Sequence, residues 1–161
     1  MAEVNLSGRN FRVAERHAAK AYKMVPNDPR VLSVYGEVSL RLGKIDQGLD
    51  ALKLALEIDP IAQGKTNSDS RTSPVLFGEY LARNKDNCLE LVEKLEDIDP
   101  KSWLLTAKLC SDEEHDITEE DWYKRGKEEF NDKDWAAEVD SFRLNNEGAK
   151  ESLIEFAESL F

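Results

Sequence analysis

The chain has 161 residues, 40% hydrophobic and 34% charged, with a formal net charge of −11, a length that suits one domain with a real core. Residues 1–60 carry nine Lys/Arg against eight Asp/Glu, leaving 13 against 25 for residues 61–161; this acidic excess disfavours nucleic-acid binding, which needs a basic surface. No apolar run approaches the roughly 20 residues of a membrane helix and no signal-peptide pattern opens the chain, so a cytoplasmic or nuclear protein is expected, with no membrane contact.

In chain order, Phe11 to Pro29 superposes on the second helix of the hairpin that follows it. Asn27-Asp28-Pro29 reads as a boundary, with Asp28 as N-cap and Pro29 in the first turn, where its missing N–H costs nothing. From Pro29 to Pro60 two amphipathic helices follow, the first on Val34, Tyr35, Val38 and Leu42, the second on Ile45, Leu49, Leu52, Leu56 and Ile58, with a break at Gly43-Lys44. Gly36, Gly48, Ala51 and Ala55 mark places where helices can approach closely.

Ala14, Ala21 and Pro26 recur 34 residues later as Gly48, Ala55 and Pro60. That period, with small residues at those places and Pro at the end, resembles the tetratricopeptide repeat (TPR) family. The resemblance is clear over residues 11–60 and degenerate over 73–142. It implies an all-α fold, a right-handed α-solenoid of antiparallel helical hairpins. Met1 to Arg9 is then too short for the first helix of a first repeat. Such an uncapped end is a liability, and two readings stand: a fragment of a longer array, or a chain that self-associates there.

After Pro60 the period fails. Residues 61–72 are polar and read as a loop insertion, and Ser73-Pro74 restarts a helix by cap-plus-proline logic. Phe77-Gly78-Glu79 echoes Tyr35-Gly36-Glu37, and Leu95 to Pro100 echoes Ala55 to Pro60, giving a degenerate repeat over 73–100. Further degenerate repeats are expected over 101–146: a helix from Lys101 to Cys110, an acidic interruption at Ser111 to Asp116, and a capping box at Thr118 to Asp121 opening the next helix. Gly126, Phe130, Asp134, Trp135 and Phe142 fall at family-like places, whereas Glu138 stands where a small residue is expected. Residues 147–161, with Ala149, Leu153, Phe156, Ala157 and Leu160 on one stripe, read as a C-terminal capping helix; the alternative is that Leu160-Phe161 is a handle for a partner. Regular packing is thus expected on the N-terminal side.

No catalytic, cofactor or metal motif is present. His17 and His115 are the only histidines and form no HExxH; neither GxGxxG nor GxxxxGK[ST] occurs. Cys88 and Cys110 have no CxxC partner and read as buried thiols. The many carboxylates have Lys or Arg nearby, as on a solvated helix face. The expectation is a protein that is not an enzyme, with no cofactor and no metal.

The resemblance also implies a concave groove lined by the first helix of each pair. On the Pro29 helix, Arg30, Ser33, Glu37 and Arg41 share one face; Val75, Glu79 and Arg83, then Tyr123 and Lys127, are the similar places downstream. The chaperone-tail class of TPR proteins uses Asn and Lys where this chain has Ser33, Glu37 and Glu79, and carboxylates would repel an acidic tail. Changing Glu37 and Glu79 to Lys is expected to alter partner binding and leave the fold intact. The function expected is a scaffold or adaptor for a protein or peptide partner, basic or of mixed charge, within a larger assembly. The alternatives are an acidic assembly chaperone shielding a basic client, such as a ribosomal protein or histone, and an enzyme with an unrecognised carboxylate site.

Overall fold

A computed structural model of the chain describes residues 10–61, 69–130, 132–145 and 151–161. These residues are all-helical: α1 (Phe11–Met24), α2 (Pro29–Arg41), α3 (Ile45–Ile58), α4 (Asp69–Leu81), α5 (Lys85–Lys94), α6 (Pro100–Asp112), α7 (Asp121–Glu129), α8 (Asp132–Asn145) and α9 (Glu151–Ser159). None of them is long and apolar enough to cross a membrane.

Local chemistry sets the helix ends. Asp28 accepts from the N–H groups of Arg30 (2.8 Å) and Val31 (3.4 Å), with Pro29 as first helical residue; Asp99 accepts from Ser102 N–H at 2.8 Å, with Pro100 as first residue of α6. Both place a carboxylate against the positive end of the helix and use a proline whose absent N–H is not needed there. Three helices end alike. Gly43, Arg83 and Glu114 adopt φ of 77°, 60° and 53°. The following N–H of Lys44, Asn84 or His115 returns to the carbonyl of Ser39, Glu79 or Cys110 at 2.9 Å. These are Schellman closures, which satisfy orphan carbonyls at the helix C-terminus.

Each helix from α1 to α6 packs on its successor, and α2, α4 and α6 also touch in sequence, two elements apart. Helix α7 packs on α6 and α5, and α9 packs on α8 and α6. The largest core lies around α6, where Trp103, Leu104, Leu105, Ala107, Leu109 and Cys110 are buried together with Trp122, Trp135, Leu153 and Ile154. The first three helices hold smaller clusters, one around Ala14, Ala18 and Val38, one around Leu32, Ala51 and Ala55, and one in which Leu40, Leu49 and Leu52 meet Val75 of α4. Regular spacing on the N-terminal side therefore does not coincide with the heaviest burial, because small residues bring helices close but remove little apolar area from water.

Aromatic geometry explains the α6 core. Trp103 stacks on Tyr123 (centroids 5.3 Å) and meets Trp135 edge-on (5.2 Å), and its indole N–H donates to the Tyr123 carbonyl at 3.3 Å. A Cβ at position 126 would stand 2.2 Å from the Trp103 indole nitrogen, so only glycine lets α7 lie over that ring. Trp135 N–H donates to the Ala157 carbonyl at 2.7 Å, tying α8 to α9.

Two local expectations are corrected. Helix α4 begins at Asp69 and carries Pro74 inside it, so Ser73 is not its cap; the Ser73 hydroxyl donates to Asp99 Oδ2 at 2.7 Å instead. Residues 69–72 of the expected loop are helical, and 62–68 lie outside the described residues. The capping box at Thr118 does not form either. Thr118 spends both its N–H and its hydroxyl on Asp116 Oδ1 (3.0 and 2.8 Å), and α7 starts after Glu120 without a side-chain cap. The stripe of the last helix buries Leu153, Ile154 and Ala157; Ala149 lies outside the described residues, as do the side chains of Asp134 and Phe142.

Candidate functional site

Where α2, α4 and α6 meet, each helix contributes residues one turn apart to a shared cleft of about 140 Å³: Glu37 and Arg41, Ser73 and Phe77, Lys101 and Leu105. Residues four apart on a helix stand above one another, so three such pairs side by side make a continuous strip. Pro74, Asp99 and Ser102 complete its walls.

The floor is apolar and the rim carries both signs of charge. The Lys101 ammonium stands 4.3 Å from the centroid of the Phe77 ring, a cation–π contact. Arg41 lies 5.7 Å from the Phe11 ring. Asp99 is committed twice, to the Ser102 N–H and the Ser73 hydroxyl, which locks the start of α6 to α4. The cleft is smaller than the roughly 300 Å³ lower bound of small-molecule cavities and suits a side chain or short stretch of peptide.

Arg71 sets the position of this strip. Its side chain is 6% exposed and pairs with Asp59 at 2.8 Å. It also donates to Ser33 Oγ (2.6 Å) and the Pro29 carbonyl (3.2 Å). One guanidinium thus joins the first turn of α2, the end of α3 and the start of α4, using the several donors of its planar fork. Arg71 lies within the expected 61–72 loop, and nothing in its sequence neighbours signals a contact 42 residues away.

Of the nine residues expected to line a groove, Glu37 and Arg41 reach the cleft. Arg30 is exposed beside Asp28 and holds that carboxyl below its ordinary value through a side-chain hydrogen bond. Ser33 is taken up by Arg71 and the Pro29 carbonyl. Val75 is 2% exposed and belongs to the core with Leu40, Leu49 and Leu52. Glu79 is also 2% exposed and pairs with Lys53 at 2.6 Å, so it turns toward α3 instead of a groove. Arg83 reaches Asp112 at 3.1 Å. Tyr123 lies on Trp103, where burial pushes its phenol up, and Lys127 sits 3.9 Å above the Phe161 ring while donating to the Leu160 carbonyl. Phe77, Ser73 and Lys101 were not expected in a groove, because the 42-residue echo of Tyr35-Gly36-Glu37 pointed to Glu79.

A wider hollow of about 370 Å³ lies between α6, α7 and α9, with Ala107, Ile117 and Phe156 inside and Ser111, Glu114, His115 and Asp116 among its lining. Asp116 is engaged by Thr118, whose backbone bond holds its carboxyl below the ordinary range. Both cysteines are buried, and burial pushes the thiols up, Cys88 to about 12 and Cys110 to about 11. Such thiols are poor nucleophiles and poor metal ligands. Among the described residues, no group of three His, Cys, Asp or Glu is placed to hold a metal ion.

Comparison with known proteins does not assign a family. No family model, curated protein or solved structure matches the chain.

Proposed function

We propose that this chain is a non-catalytic interaction scaffold or adaptor, a right-handed solenoid of TPR-like helical hairpins that works as a subunit of a larger assembly in the cytoplasm or nucleus. The observation that carries this reading is the strip across α2, α4 and α6, to which each helix presents residues one turn apart. The 34-residue period over residues 11–60, the touching of helices two elements apart and the repeated C-terminal closures at Gly43, Arg83 and Glu114 support the same architecture. An extended peptide lying across the strip would set an apolar side chain against Phe77 and Leu105 and its own charges against Glu37, Arg41 and Lys101.

The test is affinity capture on the immobilised chain, with mass spectrometry of what is retained, repeated with Phe77→Ala and Lys101→Glu. Both variants should lose the specific partner while keeping the helical circular dichroism of the parent. Retention of the same partners by both would place binding elsewhere.

A second reading, an acidic chaperone that shields a basic client, is favoured by the exposed carboxylates of Glu90, Glu93, Glu96 and Asp97 and of Glu113, Glu114, Asp116 and Glu119. Binding to such a client would weaken steeply with ionic strength; binding in the strip would weaken less, because its contacts with Phe77 and Leu105 are apolar.

A further inference from the structure

Helix α1 rests on α2 through Ala14 and Ala18. Its opposite face is a basic stripe: Arg12, Arg16, Lys20 and Lys23, spaced four, four and three apart, are all exposed. One hundred degrees per residue places these four within about 80° of one another and opposite the two buried alanines. Met24, 72% exposed, and Val25, 47% exposed, follow directly and add an apolar knob to the end of the stripe.

Helix α9 carries the complement. It buries Leu153, Ile154 and Ala157 and presents Glu151, Glu155 and Glu158, spaced four and three apart, to solvent. Between the last turns of α9 and the body of α8 runs a groove of about 340 Å³, lined by Trp135, Val139 and Phe161 among others, with Glu158 on its edge. Phe161 is itself 39% exposed. Stripe and groove thus repeat the stripe and knob of α1 with opposite charge and opposite shape. In a parallel alignment Arg16 and Lys20 face Glu151 and Glu155, and Met24 reaches the aromatic groove, where a thioether packs well against rings.

We propose that the basic face of α1 docks on α9 and the α8–α9 groove of a second copy of this chain, in a head-to-tail contact. The contact is heterologous, so it leaves an α1 face open at one end and an α9 face open at the other and extends to a third copy. It uses faces of α1 and α9 that do not line the α2–α4–α6 cleft and stands or falls separately from the function proposed above. At a net charge of −11 two copies repel at long range. At about 0.15 M salt the screening length is about 8 Å, so the distant charges are damped while pairs in contact are not.

Sedimentation of the full chain at that ionic strength, from about 10 μM to 1 mM, should show a mass that rises with concentration. Arg16→Glu with Lys20→Glu should sediment as a monomer, and so should Glu151→Lys with Glu155→Lys. An equimolar mixture of the two variants should associate again, since each reversed face then meets a reversed partner. Met24→Asp should weaken association of the parent at least tenfold. Far-UV circular dichroism of each variant identifies loss of fold. A parent that stays monomeric throughout overturns the proposal, as does a mixture that fails to associate from two folded variants. Retention of a monomeric parent on heparin, lost in Arg16→Glu with Lys20→Glu, would assign the stripe to another polyanion and equally overturn it.

Discussion

Gly36 and Gly48 face each other across α2 and α3 so closely that a Cβ on either would stand 2.9 Å from the carbonyl oxygen of the other. The obstacle is backbone and cannot rotate away. Gly48→Leu should therefore force the helices apart, also striking Leu40, at a cost of roughly 1–3 kcal/mol for overpacking. A lower melting temperature checks this; an unchanged one would mean that α3 slides without penalty.

Glu79 and Lys53 give a prediction opposite to the one drawn from sequence. The carboxylate is 2% exposed and its lysine partner half-exposed, so the pair is only partly out of water. Glu79→Gln should cost about 1.5–3 kcal/mol, the range for a hydrogen bond to a charged group. Glu79→Lys should cost more, since it buries a second ammonium against Lys53. Chemical denaturation of the two variants, together with Glu37→Lys as a surface comparison, reads the difference directly. The double change at Glu37 and Glu79 is expected to loosen the fold and is no clean probe of partner binding.

Glu114 holds φ of 53° at the close of α6, a left-handed conformation that costs a residue with a Cβ roughly 1–2 kcal/mol. Glycine relieves that strain but is freer in the unfolded chain. Glu114→Gly should leave a net gain of about 0.5–1 kcal/mol, measurable as a raised denaturation midpoint. The same change at Arg83 should yield less, because it also removes the bond to Asp112.

Asp112 links acid stability to the α4–α6 contact. Burial raises its carboxyl, but hydrogen bonds from Lys108 and Arg83 outweigh that and hold it below the ordinary value of 3.8. A carboxyl lowered in the folded state contributes stability above its unfolded value, near 3.8. That contribution is lost as pH falls from there through the lower folded value. Asp112→Asn should be less stable at neutral pH and show a shallower decline between about pH 4 and 2. Equal slopes in parent and variant would place the acid sensitivity at other carboxylates.

Short-range chemistry was legible in the residue order. Helical periodicity over 29–42 and 45–58, the Asp28-Pro29 start and the Gly43 stop are each decided within a few positions, and the structure has all of them. Thr118 and Ser73 misled because each hydroxyl had a better partner than the nearby N–H it was expected to cap. Residue order fixed the acidic balance, the helical class of the described residues and the boundaries of α2 and α3, since propensity, capping and spacing act locally. Tertiary structure decided which polar groups are buried and which meet. Glu79 turns inward because Lys53 is there to receive it, Arg71 joins three elements from what reads as a loop, and Phe77 and Lys101 share a cleft from separate helices. Those outcomes depend on contacts between residues 12 to 42 positions apart, which no local pattern encodes.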